Sequence, residues 1–281
     1  MKFGVREICD VVFKAKSAGK IGSMSVVEGQ PVLYIDSAKT STLEGAATSV
    51  YAQGGRGNAR LISWEGEKTL TFTVEDALLS PIGFSILSGA GLLDCAAETV
   101  HVHTTANASI SSGSINLTDA LGKDETIDST APVFVMTTAK DGSITGMISG
   151  ATVAEGGKTI TVTEAEDGNV FVDFYVKKKS AVTELQIDAE NFAGNYYVEA
   201  STLFRRESDG KDLPAEITLP NVKIQSNFTF SMASTGDPST FTFTMDAFPG
   251  YTAFNSDKKV LCVIQVVEDA ANADKEITSV M

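Results

Sequence analysis

Apolar and hydroxyl side chains alternate with a period of two in several segments, and this pattern constrains the fold more than any other feature. In residues 68–74, leucine, phenylalanine and valine alternate with threonine. Residues 228–232 and 241–245 alternate phenylalanine and methionine with threonine and serine. A period of two places successive side chains on opposite faces of a β-strand. We therefore predict a mainly β chain, with a hairpin over residues 228–245 that turns at residues 234–239.

The N-terminal residues continue the strand pattern. Residues 7–16 predict a half-buried strand, whose apolar side consists of Cys9, Val11, Phe13 and Ala15. Residues 26–36 predict two extended segments, separated at residues 28–31 by a turn in which glycine and proline favour chain reversal.

Residues 39–58 interrupt this pattern. The segment is rich in glycine and small residues, has no strong period, and is predicted to be a long loop. Loops of about 20 residues are uncommon inside a compact domain unless they bind something. The apolar side chains of Leu43, Val50 and Tyr51 favour contact with a partner, and a loop packed on its own domain is the alternative. Residues 54–58 lack the Gly-Lys-Ser/Thr ending of a phosphate-binding loop.

One short helix is predicted after a strand pair over residues 64–74. Ser80 is a suitable N-cap, Pro81 suits the first helical position, and Gly89 and Gly91 favour an end to the helix. The apolar face of this helix consists of Ile82, Ile86 and Leu87.

The formal net charge of −14 argues against a protein that grips nucleic acid, because such proteins neutralise phosphates with clustered lysine and arginine. The acidic excess is concentrated in residues 95–175, which carry eleven acidic and three basic side chains. Short strand patterns between glycine turns recur there. We therefore predict a small all-β insertion at residues 95–175, within a domain formed by residues 1–94 and 176–281.

The sequence predicts no catalytic, metal or cofactor site. Cys9, Cys95 and Cys262 are odd in number, far apart and flanked by apolar residues, which indicates buried free thiols. His101 and His103 would share one strand face, but the sequence positions no further metal ligand beside them. A calcium-dependent host- or carbohydrate-binding β module is a weaker alternative, because the acidic residues of the insertion are too loosely spaced for a Ca²⁺ loop.

The first 20 residues carry charged side chains throughout and contain no apolar run long enough for a signal peptide or a membrane span. We therefore expect a soluble protein that is made in a cytoplasm.

The hydroxyl face of the predicted C-terminal hairpin allows two interpretations. Hydroxyl side chains suit any exposed strand, and they equally suit the wall of a water-filled lumen that several subunits share. The residues that would face such a lumen are Thr229, Ser231, Thr240, Thr242 and Thr244.

Two long runs carry a resemblance to a known family. The first is LEGAATSVYAQGGRGNARLISWEGEKTLTFTVEDALLSPIGFSILSGAG, and the second is YYVEASTLFRRESDGKDLPAEITLPNVKIQSNFTFSMASTGDPSTFTFTMDAFPG. In the order of their elements they are similar to tail tube proteins of long-tailed, contractile (myovirus-type) bacteriophages. The resemblance covers residues 1–94 and 176–281 and only poorly covers the acidic middle.

The resemblance implies a β-sandwich or barrel with one flanking helix and a long stacking loop. Six copies would form a ring around a continuous inner barrel, and rings would stack into a tube beneath a sheath. DNA would pass through the lumen on ejection without specific binding. Such a non-enzymatic subunit, made in the bacterial host cytoplasm and placed in the virion tail, would also meet tape-measure and baseplate proteins but no membrane and no cofactor.

In such proteins the segment that follows the first strands reaches the neighbouring ring, and residues 39–58 occupy that place here. The residues expected at this contact are Thr42, Leu43, Glu44, Val50, Tyr51, Arg56 and Asn58. Another virion structural protein, such as a baseplate, tail-terminator or capsid-decoration protein, is the alternative in the same context.

Overall fold

The computed structural model describes residues 2–21, 24–89, 91–163, 165–187, 189–229, 232, 234–235 and 239–267. The chain divides into two compact units. The first consists of Met1–Leu93 and Leu185–Met281, and the second of Asp94–Glu184.

Strands dominate both units. In chain order the first elements are β1 (Phe3–Val5), β2 (Asp10–Ala15), β3 (Gly19–Ile21), β4 (Met24–Val26), β5 (Pro31–Ile35), β6 (Ala38–Gly54), β7 (Ala59–Asp76) and α1 (Pro81–Ser88). Next come β8 (Gly91–Ser111), β9 (Ser114–Asn116), a 3₁₀ turn (Thr118–Ala120), β10 (Thr126–Ile127), β11 (Phe134–Thr138), β12 (Ile144–Ile148), β13 (Thr152–Val153), β14 (Thr159–Thr161) and β15 (Gly168–Gln186). The last are β16 (Asn195–Arg206), β17 (Asp212–Ile224), β18 (Phe241–Ala247), β19 (Gly250–Thr252), β20 (Asn255–Val260) and β21 (Val263–Val266). The prediction of a mainly β fold with one helix is confirmed.

The first unit is built on a nine-stranded antiparallel sheet. Its order is β5-β2-β16-β17-β18-β7-β6, with β1 added to β16 and β21 added to β17. One face of the sheet is buried because apolar side chains alternate along each strand, as predicted for β2 and β18. Phe13, Phe72 and Phe243 are at most 2% exposed there. The opposite side, here called the open face, carries polar side chains.

The helix α1 covers the buried face, and its sequence signals act as predicted. The Ser80 hydroxyl accepts a hydrogen bond from the Gly83 N–H over 3.0 Å, and Gly89 ends the helix with a φ of 74°. Ile86 and Leu87 are buried in the same apolar cluster as the sheet residues.

The sheet curls until its two ends approach each other. β5 and β6 are the end strands of the sheet order, yet only Asp36 and Ser37 separate them in the chain. Since consecutive Cα atoms are about 3.8 Å apart, Ile35 and Ala38 lie within about 11 Å of each other. The sheet therefore wraps around its apolar core as a half-barrel.

Two sequence predictions about this sheet were wrong. Residues 39–58 do not form a loop, because β6 pairs with β7 along almost its whole length. The strand predicted at residues 228–232 is absent from its described part, since residues 225–229 have no strand pairing and the position of Ser231 lies outside the described residues. An alternating sequence is not enough to form a strand, because a strand also needs a neighbouring strand with which to form hydrogen bonds.

The second unit has its own sheet and core. The sheet order is β12-β11-β15-β8-β9-β14-β13, with β10 beside β15. Its core includes Ile115, Val135, Ile160, Val172 and Phe174, none of which exposes measurable surface.

A buried carboxylate ties the strands of the second unit together. Asp128 is 1% exposed and lies 2.9 Å from the Lys177 amino group and 2.5 Å from Nδ1 of His101. The Thr130 hydroxyl donates to it over 2.7 Å. These contacts hold the pKa of Asp128 well below its ordinary value, with the Thr130 hydroxyl the largest cause. A charged side chain is thus retained in this unit because it is fully paired.

Candidate assembly surfaces

The β6–β7 hairpin extends beyond the sheet as a two-stranded ribbon. β18 pairs with β7 only from Thr71 to Asp76, whereas β6 follows β7 to the Gly54–Ala59 pair. The segment from the Gly45–Leu70 pair to that end is here called the ribbon. At about 3.3 Å per residue it is about 30 Å long.

A bulge divides the ribbon. The pairing shifts between Ala47 and Ser49, and the Thr48 hydroxyl accepts a hydrogen bond from the Glu67 N–H over 2.9 Å. A Cβ on Gly66 would come within 2.5 Å of that hydroxyl oxygen. A larger residue at position 66 would therefore have to displace this hydroxyl. The bulge increases the local twist of the outer ribbon.

The outer ribbon carries apolar side chains without a core beneath them. Val50 pairs with Trp64 and Ala52 pairs with Ile62, so these four side chains share one face. Val50 is 65% exposed, Ile62 56% and Trp64 54%. Exposed apolar groups that are clustered in this way are typical of contact surfaces.

The opposite face and the tip of the ribbon are polar. The Arg60 guanidinium lies 4.1 Å from the centre of the Tyr51 ring, which is a cation–π contact. The tip turns at residues 55–58, where Gly55, Gly57 and Asn58 all have positive φ. The Asn58 side chain donates to the Gln53 side chain over 3.3 Å.

The residues predicted for a partner contact are spread along the whole hairpin. Thr42, Leu43 and Glu44 lie where β6 is still part of the sheet, and Leu43 packs against the apolar core. Val50 and Tyr51 lie on opposite faces of the ribbon.

At the tip, Arg56 is exposed and Asn58 shapes the turn. Sequence reasoning missed Ile62 and Trp64, which complete the apolar face. The signal was the glycine-rich turn at residues 54–58, since such a turn between two segments of similar length favours a hairpin.

The open face of the sheet carries rows of hydroxyl and carboxylate groups. The register brings together one row of Thr42, Thr73 and Thr244, a second of Thr40, Glu75 and Thr242, and a third of Glu44, Thr71 and Asp246. The hydroxyls of Thr240 and Thr40 donate to Glu75 over 2.5 and 3.2 Å. Hydrogen bonds from Thr240 chiefly, and then from Thr40, lower the pKa of Glu75.

Of the residues predicted to face a lumen, three lie beside or in these rows. Thr242 is exposed and Thr244 half-buried on β18, and Thr240 directly precedes that strand. Thr229 is exposed outside any strand. Ser231 lies outside the described residues.

The cysteine and histidine side chains of the described residues are buried, half-buried or in contact with a carboxylate. Burial raises the pKa of the Cys9 thiol and raises that of Cys262 to about 11. His101 and His103 contact different carboxylates, Asp128 and Asp173. Within the described ranges, no three histidine, cysteine or carboxylate side chains are grouped so that they could hold a metal ion. The side chain of Cys95 is outside the described part.

The mainly β fold, the polar open face and the exposed ribbon are features of a structural β protein. The chain belongs to the YomU/Tube protein family, whose model matches residues 4–260. Membership in this family and the β-rich fold indicate a phage tail tube-type structural protein, a component of the virion tail. The match also spans residues 95–175, which the sequence resemblance covered poorly. A comparison with curated proteins found no match.

The one α-helix among the described residues, α1, is too short to cross a membrane.

Proposed function

We propose that this protein is the tail tube subunit of a long-tailed, contractile bacteriophage, which forms hexameric rings that stack into the conduit for DNA ejection. The observation that carries the proposal is the ribbon, since it is about 30 Å long and exposes Val50, Ile62 and Trp64, none of which belongs to the core.

In this proposal the ribbon of one ring contacts the next ring. Contacts between unlike surfaces of identical subunits generate rings when the rotation closes and filaments when copies also stack along an axis. The proposed contact residues are Thr42, Leu43, Glu44, Val50, Tyr51, Arg56 and Asn58, to which the hairpin pairing adds Ile62 and Trp64.

The part of the open face that β7 and β18 form is the proposed lumen wall. Thr240, Thr242 and Thr244 lie near Glu75 on this face, and Thr229 and Ser231 belong to the same proposed set. DNA gains affinity for a protein when lysine and arginine release its counterions, and a hydroxyl and carboxylate surface provides no such release. A wall of this kind allows a polyanion to pass without specific binding.

The proposal also places the protein in a larger tail. A sheath, a tape-measure protein and a baseplate would be its partners, and synthesis would occur in the cytoplasm of the bacterial host. Residues 1–94 and 176–281 would form the tube domain, and residues 95–175 would be an all-β insertion in it.

Negative-stain electron microscopy of the purified protein tests the proposal. We expect six-fold rings or tubes with a central hole. The second sample is a variant in which Asn-Gly replaces residues 46–69 and joins Gly45 to Leu70. Asn-Gly suits a two-residue hairpin turn, so the variant lacks the ribbon and keeps the rest of the sheet. This variant should fold, as judged by circular dichroism, and should not form tubes.

Two results would contradict the proposal. A strictly monomeric protein at high concentration, with no ring in the intact virion, would refute the tube assignment. Tubes of normal length from the ribbonless variant would refute the stacking role of the ribbon. Virion stoichiometry adds an independent measurement, because a tube subunit is present in many copies and a terminator in few.

A further inference from the structure

The ribbon and the helix α1 follow opposite ends of β7. From the base of the ribbon at Leu70, β7 continues through the residues that pair with β18 and ends at Asp76. α1 begins shortly afterwards, at Pro81. The ribbon therefore leaves the sheet on one side, and the chain that leads into α1 leaves it on the other.

Two more chain segments leave the sheet on the α1 side. β17 and β7 run in the same direction, because both are antiparallel to β18. The residues after Ile224, at the end of β17, therefore leave on the same side as those after Asp76. β16 is antiparallel to β17, and its first residue, Asn195, lies opposite Lys223. The residues before β16 reach this side too.

Apolar side chains from these three segments surround α1. Leu78 is 69% exposed, Phe192 70% and Phe228 37%. The Phe228 ring packs edge-on against the Phe84 ring of α1, with 4.9 Å between the ring centres. The backbone of Phe192 lies so close to Gly89, at the end of α1, that a Cβ on this glycine would come within 2.5 Å of it.

We name this apolar surface the α1 rim. Its members are Leu78, Leu79, Phe192 and Phe228, none of which belongs to the core of the first unit. They are gathered around a helix of eight residues, which is about 12 Å long. Exposed apolar side chains concentrated in so small an area are typical of contact surfaces.

We propose that the apolar face of the ribbon of one copy binds the α1 rim of a copy in the next ring. The inference rests on the proposed function, since it specifies the surface that receives the ribbon. Two unlike surfaces at opposite ends of one subunit allow each copy to bind the next in the same orientation, and this contact can repeat without limit along an axis.

A second copy is the occupant that the topology favours. The ribbon cannot reach the α1 rim of its own copy, because the continuous strand from Ile62 to Asp76 is about 45 Å long. The family of the chain indicates self-assembly into a tube. Stacking then brings the ribbon end of one copy towards the α1 end of another, where the apolar side chains of both surfaces can be buried together.

The size of the contact predicts how assembly proceeds. A ribbon of two strands is about 10 Å wide and about 30 Å long, so one of its faces covers about 300 Å². This is less than the roughly 800 Å² that each partner buries in a stable pairwise interface. One ribbon contact should therefore not hold two copies together, whereas several contacts around a ring reinforce each other.

A charge placed in the α1 rim tests the inference. In L78E/F192E the contact would have to bury two carboxylates, and we expect the critical concentration for tube formation to rise by about tenfold or more. Sedimentation across a dilution series measures this concentration. Because the rim is proposed to act in stacking and not in ring closure, electron microscopy should show rings of this variant that remain unstacked.

The matched control is I144E/M147E. Ile144 and Met147 are 59% and 65% exposed on β12 of the second unit, so this variant adds the same charge to a similarly exposed apolar pair. It should form tubes as the wild type does. Leu78→Glu alone serves if Phe192→Glu lowers the melting temperature.

A cross-linking experiment tests which surfaces meet. Leu78→Cys is combined with Ile62→Cys or with Val50→Cys on the ribbon, and assembled tubes are treated with a short bis-maleimide. We expect covalent chains of more than six copies on a denaturing gel, because each copy is linked to one copy above and one below. The single-cysteine variants, which retain Cys9, Cys95 and Cys262, should give no chains.

The outcomes separate the inference from the proposed function. If the wild type forms tubes and L78E/F192E forms them at the same concentration, the ribbon binds elsewhere and only the inference fails. Tubes that give no chains with either cysteine pair, or chains that stop at six copies, would also overturn it. Normal tubes of L78E/F192E in virions that lack another tail component would assign the rim to that component instead. If the wild type forms no rings, the proposed function fails and the inference fails with it.

Discussion

Replacing Trp64 with alanine should weaken assembly without weakening the fold. Trp64 is 54% exposed and lies on the outer ribbon opposite Val50. Its ring is not part of the buried core of the first unit. The substitution therefore removes little that stabilises the monomer and much of what the ribbon offers to a partner.

The size of the effect follows from the exposed area. A tryptophan presents about 250 Å², so the 54% that is exposed corresponds to about 135 Å². At about 25 cal/mol per Å², covering this area would contribute about 3 kcal/mol. Since 1.4 kcal/mol is a factor of ten, losing it should weaken each ribbon contact by about 100-fold.

The assay is the critical concentration for tube formation, measured by sedimentation of wild type and variant across a dilution series. Chemical denaturation of dilute, unassembled protein supplies the free energy of unfolding, which should change by less than about 1 kcal/mol. Ile144→Ala is the matched control, because Ile144 is 59% exposed on β12 of the second unit.

Two outcomes would refute the reasoning. An unchanged critical concentration for Trp64→Ala would show that the apolar face of the ribbon is not buried on assembly. An equal loss of assembly with Ile144→Ala would show that exposed apolar area in general, rather than the ribbon, drives the association.

Three further predictions concern stability. Gly89→Ala should lower the free energy of unfolding by about 1–3 kcal/mol, because Gly89 has a φ of 74° and a Cβ there would lie 2.5 Å from the Phe192 backbone. Urea denaturation measures this loss, and Gly19→Ala is the control, because nothing lies within 4 Å of a Cβ at position 19. Equal losses of stability in the two variants would contradict the prediction. Phe13→Ala should cost about 3–5 kcal/mol in the same assay, since Phe13 is fully buried, and a loss below about 1 kcal/mol would be inconsistent with that packing. Folding lowers the pKa of Asp128, so the stability that this carboxylate contributes is present above about pH 4 and is lost as the pH falls through the folded pKa. The difference in melting temperature between the wild type and Asp128→Asn should therefore narrow on acidification. A difference that widens would contradict the lowered pKa.

Local signals in the sequence located several elements correctly. α1 was predicted because its N-cap, its proline and its terminal glycine act within one turn of the residues they affect. β2 and β18 were predicted because one side of each strand is buried, and burial creates the apolar contrast that a period of two requires.

The ribbon was not predicted, because it lacks this contrast between a buried and an exposed side. Side chains on both of its faces meet solvent, so neither face of β6 needs to be apolar and its sequence shows no strong alternation. The glycines at residues 54–58 favour a turn, but they do not show that the segments on either side pair with each other.

The long-range organisation of the sheet has no local signal either. β2 pairs with β16 across about two thirds of the chain, and the two-residue link between β5 and β6 joins opposite ends of the sheet order. The rows of hydroxyl and carboxylate groups on the open face are defined only after these pairings are known, because their members come from β6, β7 and β18, which are far apart in the sequence.

The way in which the ribbon joins the sheet has a mechanical consequence. β6 is an edge strand, so tension applied along the ribbon reaches the body of the subunit through the chain at Ala38 and Asp76 and through the six β7–β18 register pairs between Thr71 and Asp76. A pull parallel to these strands loads their hydrogen bonds together, in shear, rather than one after another as in unzipping. The ribbon can therefore transmit force along its strands into the subunit without peeling away from it.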